Sequence, residues 1–394
     1  MSRTVSLQLC SSTGSPLGTL PPFTVQTPWW PDVEPVVRRA RARFGVDIFV
    51  LRLLSTKTSS DVMGGAVRYL AELIWPPARV ARTPAPDDHP LRAHWARPGG
   101  IATIVEWADT TLAAAGRPRN GPAVQVKTWN LSSLLRLPTA DGEVWCKSVP
   151  PFFAHEATVM AIVAEDDPSL VPPVLATDHA GTTLIADVPG KDQWDAPAPR
   201  LLEMVRRLVT LQARSRIGDL LAAGIPDWRA PALTGKVEAL LDRVQLPKDE
   251  LTALHALAAD LPRRFARLAA CGLPETLVHG DFHPGNWRLG PDGLVLLDWG
   301  DSGVGHPLLD IAAFLPRITG ALRDQIRSAW LDAWREHRPD SDPARAARLV
   351  APVAALRQAV IYQCFLDSIE PSEHRYHEAD VPQWLRRALR AASG

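Results

Sequence analysis

The chain has 394 residues, with 43 Lys plus Arg balancing 43 Asp plus Glu; at roughly 150 residues per domain that allows two or three domains and a large buried core. Apolar residues at 46% and charged residues at 22% argue against a disordered or fibrous chain, and zero net charge argues against a dedicated nucleic-acid binder. No uncharged apolar run approaches the roughly 18 residues of a membrane span, and the opening MSRTVSLQLCSSTGS lacks the basic stretch and apolar core of a signal peptide. The cysteines, Cys10, Cys146, Cys271 and Cys364, lie far apart, which points to reduced thiols in a cytoplasmic protein rather than a zinc ribbon or a disulfide scaffold.

In chain order, Val5, Leu7 and Leu9 alternate with polar residues as in a half-buried strand. Pro31 and Asp32 precede a helical stretch, Val33 to Phe44, which Gly45 ends. Strand-like runs at Asp47–Leu54 and Ala66–Ile74 flank a Thr/Ser/Gly loop. A Pro/Asp-rich connector, Thr83 to Pro90, leads to a predicted helix over Ile101–Ala115, and Arg117 to Pro122 is the clearest linker in the chain. Residues 1–118 are therefore expected to form a separate small α+β domain. Arg38 to Val46 faintly resembles the end of a Nudix helix, but Arg39, Ala42 and Arg43 stand where that family has metal-binding glutamates. A non-catalytic relic of that family and an unrelated α+β domain both fit.

From Val124 the texture changes. Val124–Thr128, Ser133–Leu137 and Glu143–Val149 read as three strands, Ala154–Ala164 as a helix and Thr183–Val188 as a strand ending at Pro189-Gly190. Beyond Pro199 the pattern is helical: Leu201, Leu202, Val205, Leu208 and Val209 share one face. Strands first and helices later describe a small β-rich lobe, 119–190, joined to a larger helical lobe, 191–394.

The chemistry concentrates in Val278-His279-Gly280-Asp281-Phe282-His283-Pro284-Gly285-Asn286 and in the apolar run Leu294–Leu297 that ends in Asp298-Trp299-Gly300. A loop presenting one carboxylate and a carboxamide, and a strand delivering a second carboxylate, form a hard oxygen-rich set suited to Mg²⁺. Asp281 is placed to orient a nucleophile and accept its proton, and Asn286 and Asp298 to hold metal against a polyphosphate. The spacing matches the template H-x-D-x-x-x-x-N followed by D-x-G. One of only three asparagines in the chain falls where the template needs it.

These segments, with Asp298 to Ala312, resemble the aminoglycoside phosphotransferase family, small-molecule kinases that share the protein-kinase fold. The resemblance covers about Val124 to Leu389 and implies an α+β, protein-kinase-like, two-lobe fold. It also implies ATP or GTP as co-substrate with Mg²⁺, and a small-molecule hydroxyl as acceptor: aminoglycoside-like, sugar or amino alcohol. Nucleic-acid and membrane partners are not expected. Such a fold requires a strand lysine and a helix glutamate; Lys147 and, nine residues later, Glu156 fill those positions. The phosphate-covering turn, Trp129 to Ser133, has no glycine; Ser132 either touches phosphate or shapes the hairpin. The hinge corresponds to Ile185–Gly190, with Asp187 and Val188 nearest the nucleotide, and His279 and Asp310 correspond to structural supports of the loop. Glu370, Glu373 and Glu378 either line a pocket for a cationic amine or form a solvated charge run. The H-x-x-H pair His374/His377 lacks a placed third ligand and reads as a loop or helix edge. No Walker A loop and no A-P-E segment are present, which sets aside P-loop kinases and protein kinases. A nucleotide-binding regulatory module with little turnover is the rival reading.

Overall fold

The computed structural model describes residues 2–57, 63–75 and 88–393. The Thr/Ser/Gly loop at 58–62 and most of the connector Thr83–Pro90 lie outside the described residues. The chain divides into two compact units: the first holds the residues up to Ala154, Val174–Asp187 and Phe365–Ala379, the second His155–Pro173, Val188–Cys364 and the residues from Asp380 onward.

The first unit contains two sheets. Strands β1 (Arg3–Cys10), β2 (Pro16–Val25), β3 (Asp47–Thr56) and β4 (Ala66–Trp75) lie in the order β2-β1-β4-β3, with β1 and β4 parallel. Val5, Leu7 and Leu9 alternate inward and pack against helix α1 (Glu34–Phe44). That helix ends where Gly45 turns left-handed, φ 68°, and donates its N–H to Arg41 O, the C-cap that glycine permits without a Cβ clash. The sequence pattern does not mark β2, whose Pro16, Pro21 and Pro22 interrupt a strand-like run. Its position at the sheet edge explains them, since an edge strand needs no inward N–H at every residue.

Helix α2 (Gly100–Ala114) covers the opposite face of that sheet, where Cys10, Leu51 and Leu70 share one core with Ile101, Ile104, Ala108 and Leu112. The same core continues into Leu135, Leu137, Val144, Cys146 and Leu184 of the second sheet. That sheet comprises β5 (Val124–Thr128), β6 (Ser133–Thr139), β7 (Gly142–Ser148), β8 (Val174–Thr177) and β9 (Thr182–Ala186) in the order β5-β6-β7-β9-β8, all antiparallel. Helix α2 is thus apolar toward both sheets.

A stretch from near the C-terminal end completes this unit. Tyr376 joins the core of the first sheet, and Glu370 is buried between two arginines. Arg92 Nε and Nη2 reach its Oε2 at 3.0 and 2.8 Å, and Arg52 Nη1 lies 3.1 Å from Oε1. Burial pushes the neighbouring Glu373 carboxyl up to about 8, with Glu370 adding repulsion; its Oε1 accepts the Leu53 N–H at 3.4 Å.

In the second unit, α3 (Glu156–Asp166) precedes the short strand β10 (Lys191–Asp192) and helices α4 (Ala198–Ala213), α5 (Ile217–Ala222), α6 (Ala230–Leu241) and α7 (Lys248–Ala269). Strands β11 (Thr276–Val278), β12 (Trp287–Gly290), β13 (Gly293–Leu296) and β14 (Gly303–Gly305) follow, then α8 (Ile311–Phe314), α9 (Gly320–His337), α10 (Pro343–Ser368, whose last four residues belong to the first unit) and α11 (Asp380–Ser393). Helix α4 packs on α9, and α7 on α6 and α11. Strands β11 and β14 pair, and β10, β12 and β13 form a small sheet. Among the described residues α10 alone is long and apolar enough to cross a membrane, and 67% of its most apolar window is buried.

Removing Glu370 takes the buried carboxylate from two buried guanidinium groups, leaving Arg92 the exposed Asp88 and Arg52 the Ser372 hydroxyl, and breaking such a group typically costs about 3–5 kcal/mol. Glu370→Ala is therefore expected to lower the thermal midpoint by several degrees more than the exposed control Glu378→Ala. Equal midpoints in a calorimetric comparison would contradict this account.

Candidate active site

The loop 279–286 is suspended between β11 and β12, and its foundation is a buried carboxylate. Asp310, fully buried, accepts the His279 N–H at 3.1 Å (Oδ2), the Gly280 N–H at 2.8 Å (Oδ1) and Gln212 Nε2–H at 2.9 Å. Burial pushes its carboxyl up to about 6, while the two backbone N–H groups and Arg357 pull it down. Gly280 adopts φ 90°, and a Cβ there would collide with Asp301 O and Arg357. Arg357, buried on α10, donates from Nη2 to Asp301 O at 2.6 Å. Gln358 Nε2 reaches Gly280 O at 3.4 Å.

His279 is buried under the same loop and donates from Nε2 to Leu297 O at 3.0 Å; burial holds its imidazole down at about 4, so it is neutral. A second tie joins the two loops, the Leu297 N–H donating to Asn286 O at 2.8 Å. Leu297 leads into Asp298, whose φ of 66° is the one left-handed non-glycine conformation among the described residues. Such strain persists where the surroundings impose it, and it clusters at functional sites. The next residue is held too: the Trp299 N–H donates to Glu156 Oε1 at 3.1 Å.

Within this frame Asp281 keeps a side chain 39% exposed. Asn286 Nδ2 donates to Asp281 O at 2.9 Å and to its Oδ2 at 3.3 Å, so the Asn286 Oδ1 is left without a donor among the described residues. Burial raises the Tyr362 phenol well above its ordinary value, and the carboxylates of Asp380, Asp301 and Asp281 add to the rise.

Of the residues expected from sequence, the structure brings Glu156, His279, Asp281, Asn286, Asp298 and Asp310 together in the second unit. Lys147 lies in the first unit, on the central strand β7 opposite Leu134 and Thr183. Asp187 accepts the Trp145 indole N–H at 2.7 Å, and Val188 O accepts Arg288 Nε–H at 3.1 Å; the chain passes between units at this dipeptide. Ser132 Oγ accepts the Trp129 indole N–H at 3.0 Å, a hairpin-shaping contact. Asn130, in the same turn, is buried against Glu373 O and His377 Nε2. Glu370 and Glu373 belong to the buried arginine cluster, and Glu378 pairs with Arg375 at the surface. Sequence reasoning missed Gln212 and Arg357. Each had a signal: Gln212 continues the buried helix face formed by Leu201, Val205, Leu208 and Val209, and Arg357 is a charge inside an apolar helical run.

The Mg²⁺ that the motif implies is matched by this donor set. Asn286 Oδ1 and the Asp298 carboxylate are hard oxygen donors, the kind that would hold Mg²⁺ alongside substrate phosphates.

His306, buried and held down at about 3 by burial, accepts the Leu308 N–H at Nδ1 (3.3 Å). Its folded value lies below the ordinary 6.5, so its contribution to stability is complete above about pH 6.5 and is lost as pH falls. His306→Asn retains an acceptor for that N–H but takes up no proton. Its thermal midpoint is expected to fall less than that of the wild type between about pH 7 and about pH 5; parallel falls would contradict the assignment.

A model of the phosphotransferase enzyme family (APH) matches residues 120–349. Among solved structures, a macrolide 2'-phosphotransferase type I is 19% identical at a TM-score of 0.52, over 71% of this chain and 96% of that one. Choline kinase LicA from Streptococcus pneumoniae is 14% identical at 0.54, over 74% and 100%. Macrolide 2'-phosphotransferase MphH from Brachybacterium faecium is 15% identical at 0.51, over 70% and 98%. No curated protein matches the chain. The fold is accordingly the α+β, protein-kinase-like one that the motifs implied, and with the family model spanning more than half of its length the chain belongs to the phosphotransferase enzyme family.

Proposed function

We propose that the protein is an ATP-dependent, cytoplasmic kinase that phosphorylates a hydroxyl group of a small, amine-bearing molecule. The observation that carries this reading is the half-exposed Asp281 carboxylate, fixed by Asn286 above a loop that Asp310 braces from below. Asp281 accepts the proton of the acceptor hydroxyl as its oxygen bonds to the γ-phosphorus. The bond from that phosphorus to the bridging oxygen breaks, and ADP departs with the electron pair. Lys147 positions the nucleotide phosphates, Glu156 supports it, and the hinge around Asp187 and Val188 offers backbone groups to the adenine. Asn286 and Asp298 are the residues that would hold Mg²⁺, which would neutralise charge on the phosphate oxygens. Most of the rate then comes from positioning and charge stabilisation.

Support for the acceptor class comes from the solved neighbours and from charge. Those neighbours include macrolide phosphotransferases and the choline kinase LicA, which has also been solved in complex with AMP, and this favours an adenine nucleotide. The Asp380, Asp301 and Asp281 carboxylates all push the Tyr362 phenol up, with Arg317 opposing them, and this local excess of negative charge would suit a cationic amine. One feature favours the rival, a nucleotide-binding module with little turnover: the glycine-free turn Trp129–Ser132 is pinned by the Trp95 indole N–H on Trp129 O at 3.0 Å and by Asn130. A phosphoryl-transfer screen with ATP over aminoglycosides, macrolides, choline, ethanolamine and simple sugars separates the two.

With an acceptor identified, Asp281→Asn is expected to lower transfer by roughly 10²–10⁴-fold, the usual worth of a positioned base, and to leave Mg-ATP affinity nearly unchanged. Transfer within about tenfold of wild type would remove Asp281 from this role. Lys147→Ala should instead weaken Mg-ATP binding in calorimetric titration, and Asp298→Asn should raise the Mg²⁺ concentration needed for half-maximal rate.

A further inference from the structure

His283 has no part in the roles above, yet its ring is more tightly held than a turn residue needs. It is 8% exposed. Its Nδ1 accepts the Gly285 N–H at 3.1 Å, which leaves the ring proton on Nε2, and Nε2 lies 3.3 Å from Asp281 Oδ2. The Asn286 amide reaches the same Oδ2. One carboxylate oxygen is therefore bound twice, and Oδ1 has no partner among the described residues.

The imidazole is itself clamped. Trp194 stacks on it with ring centres 4.8 Å apart and planes 19° from parallel. Gly285 makes that approach possible, because a Cβ there would run into the indole. The Arg317 guanidinium lies 5.4 Å from the indole centre, a cation–π contact that adds to the stack. Trp194 is itself 47% exposed, so its other face is open to solvent.

We infer that His283 is a positioning residue: its Nε2–H, together with the Asn286 amide, ties down Asp281 Oδ2 so that Oδ1 receives the acceptor proton, and Trp194 holds the imidazole in the plane this requires. The inference rests on Asp281 being the base proposed above. A carboxylate free to rotate about its χ2 angle would present either oxygen; fixing one of them pre-organises the other without changing how nucleotide binds.

Hydrolysis of Mg-ATP, with water as acceptor, tests this without a known substrate. His283→Phe keeps an aromatic ring for Trp194 and loses both nitrogens; it is expected to lower turnover by about tenfold or more, with the Mg-ATP dissociation constant within about threefold of wild type. His283→Gln, which restores an N–H within reach, should recover a third or more of the rate. Trp194→Ala should lower turnover, and Trp194→Phe should leave it within about twofold. Turnover of the Phe variant within twofold of wild type, or no recovery by Gln, overturns the inference. Asp281→Asn is measured alongside: wild-type hydrolysis there would defeat the proposed base first, whereas loss there with an unaffected His283→Phe defeats the positioning role alone. If melting shows the Phe variant unfolded, the Gln and Trp194 variants decide.

Discussion

The Asp310 carboxylate is the constraint on which the site depends. Two successive backbone N–H groups, those of His279 and Gly280, have no strand partner at the point where β11 ends, and a buried donor left unpaired costs about 1–3 kcal/mol. Asp310 satisfies both, and Gln212 from α4 supplies a further hydrogen bond to it. One side chain thereby fixes where the 279–286 loop leaves the β11–β14 pair. The burial of Asp310 is offset in part by these donors and by Arg357, which also caps Asp301 O. A carboxylate with four favourable neighbours is a rigid reference point, and the half-exposed Asp281 inherits its position from it.

The two motif loops were legible because chemistry constrains their residue types. In the proposed reaction a proton acceptor, a hard amide oxygen and a second carboxylate admit few substitutes, so HGDFHPGN and LLDWG stand out in one sequence. Local periodicity was legible for the same kind of reason: Val5, Leu7 and Leu9 alternate because one side of β1 is core. The left-handed conformation of Asp298 left no trace, since the local sequence carries no glycine at that position to announce it. The use of Glu370 was equally hidden. Its partners Arg52 and Arg92 lie about 300 residues away, and an acidic residue among other acidic residues reads as solvated until the partners are known. The Ser132 hydroxyl accepts from an indole three residues earlier in the same turn and keeps its own O–H to donate.

Helix α2 shares a core with both sheets of the first unit, so β1, β3 and β4 and the strands β6, β7 and β9 meet on its apolar faces. The arginines of that unit need Glu370, and its β5–β6 turn needs Glu373 and His377.

Synthesis from the N-terminus gives this return of the chain a consequence in time. Arg52 and Arg92 emerge from the ribosome long before Glu370, and the core around Val5 and Trp30 stays open until Tyr376 follows. A nascent chain halted short of that stretch lacks the buried carboxylate that Arg52 and Arg92 share and leaves an apolar face unsealed, which is the sort of surface that chaperones hold. Completion of the sheet-rich unit thus waits for a residue translated 278 positions after Arg92.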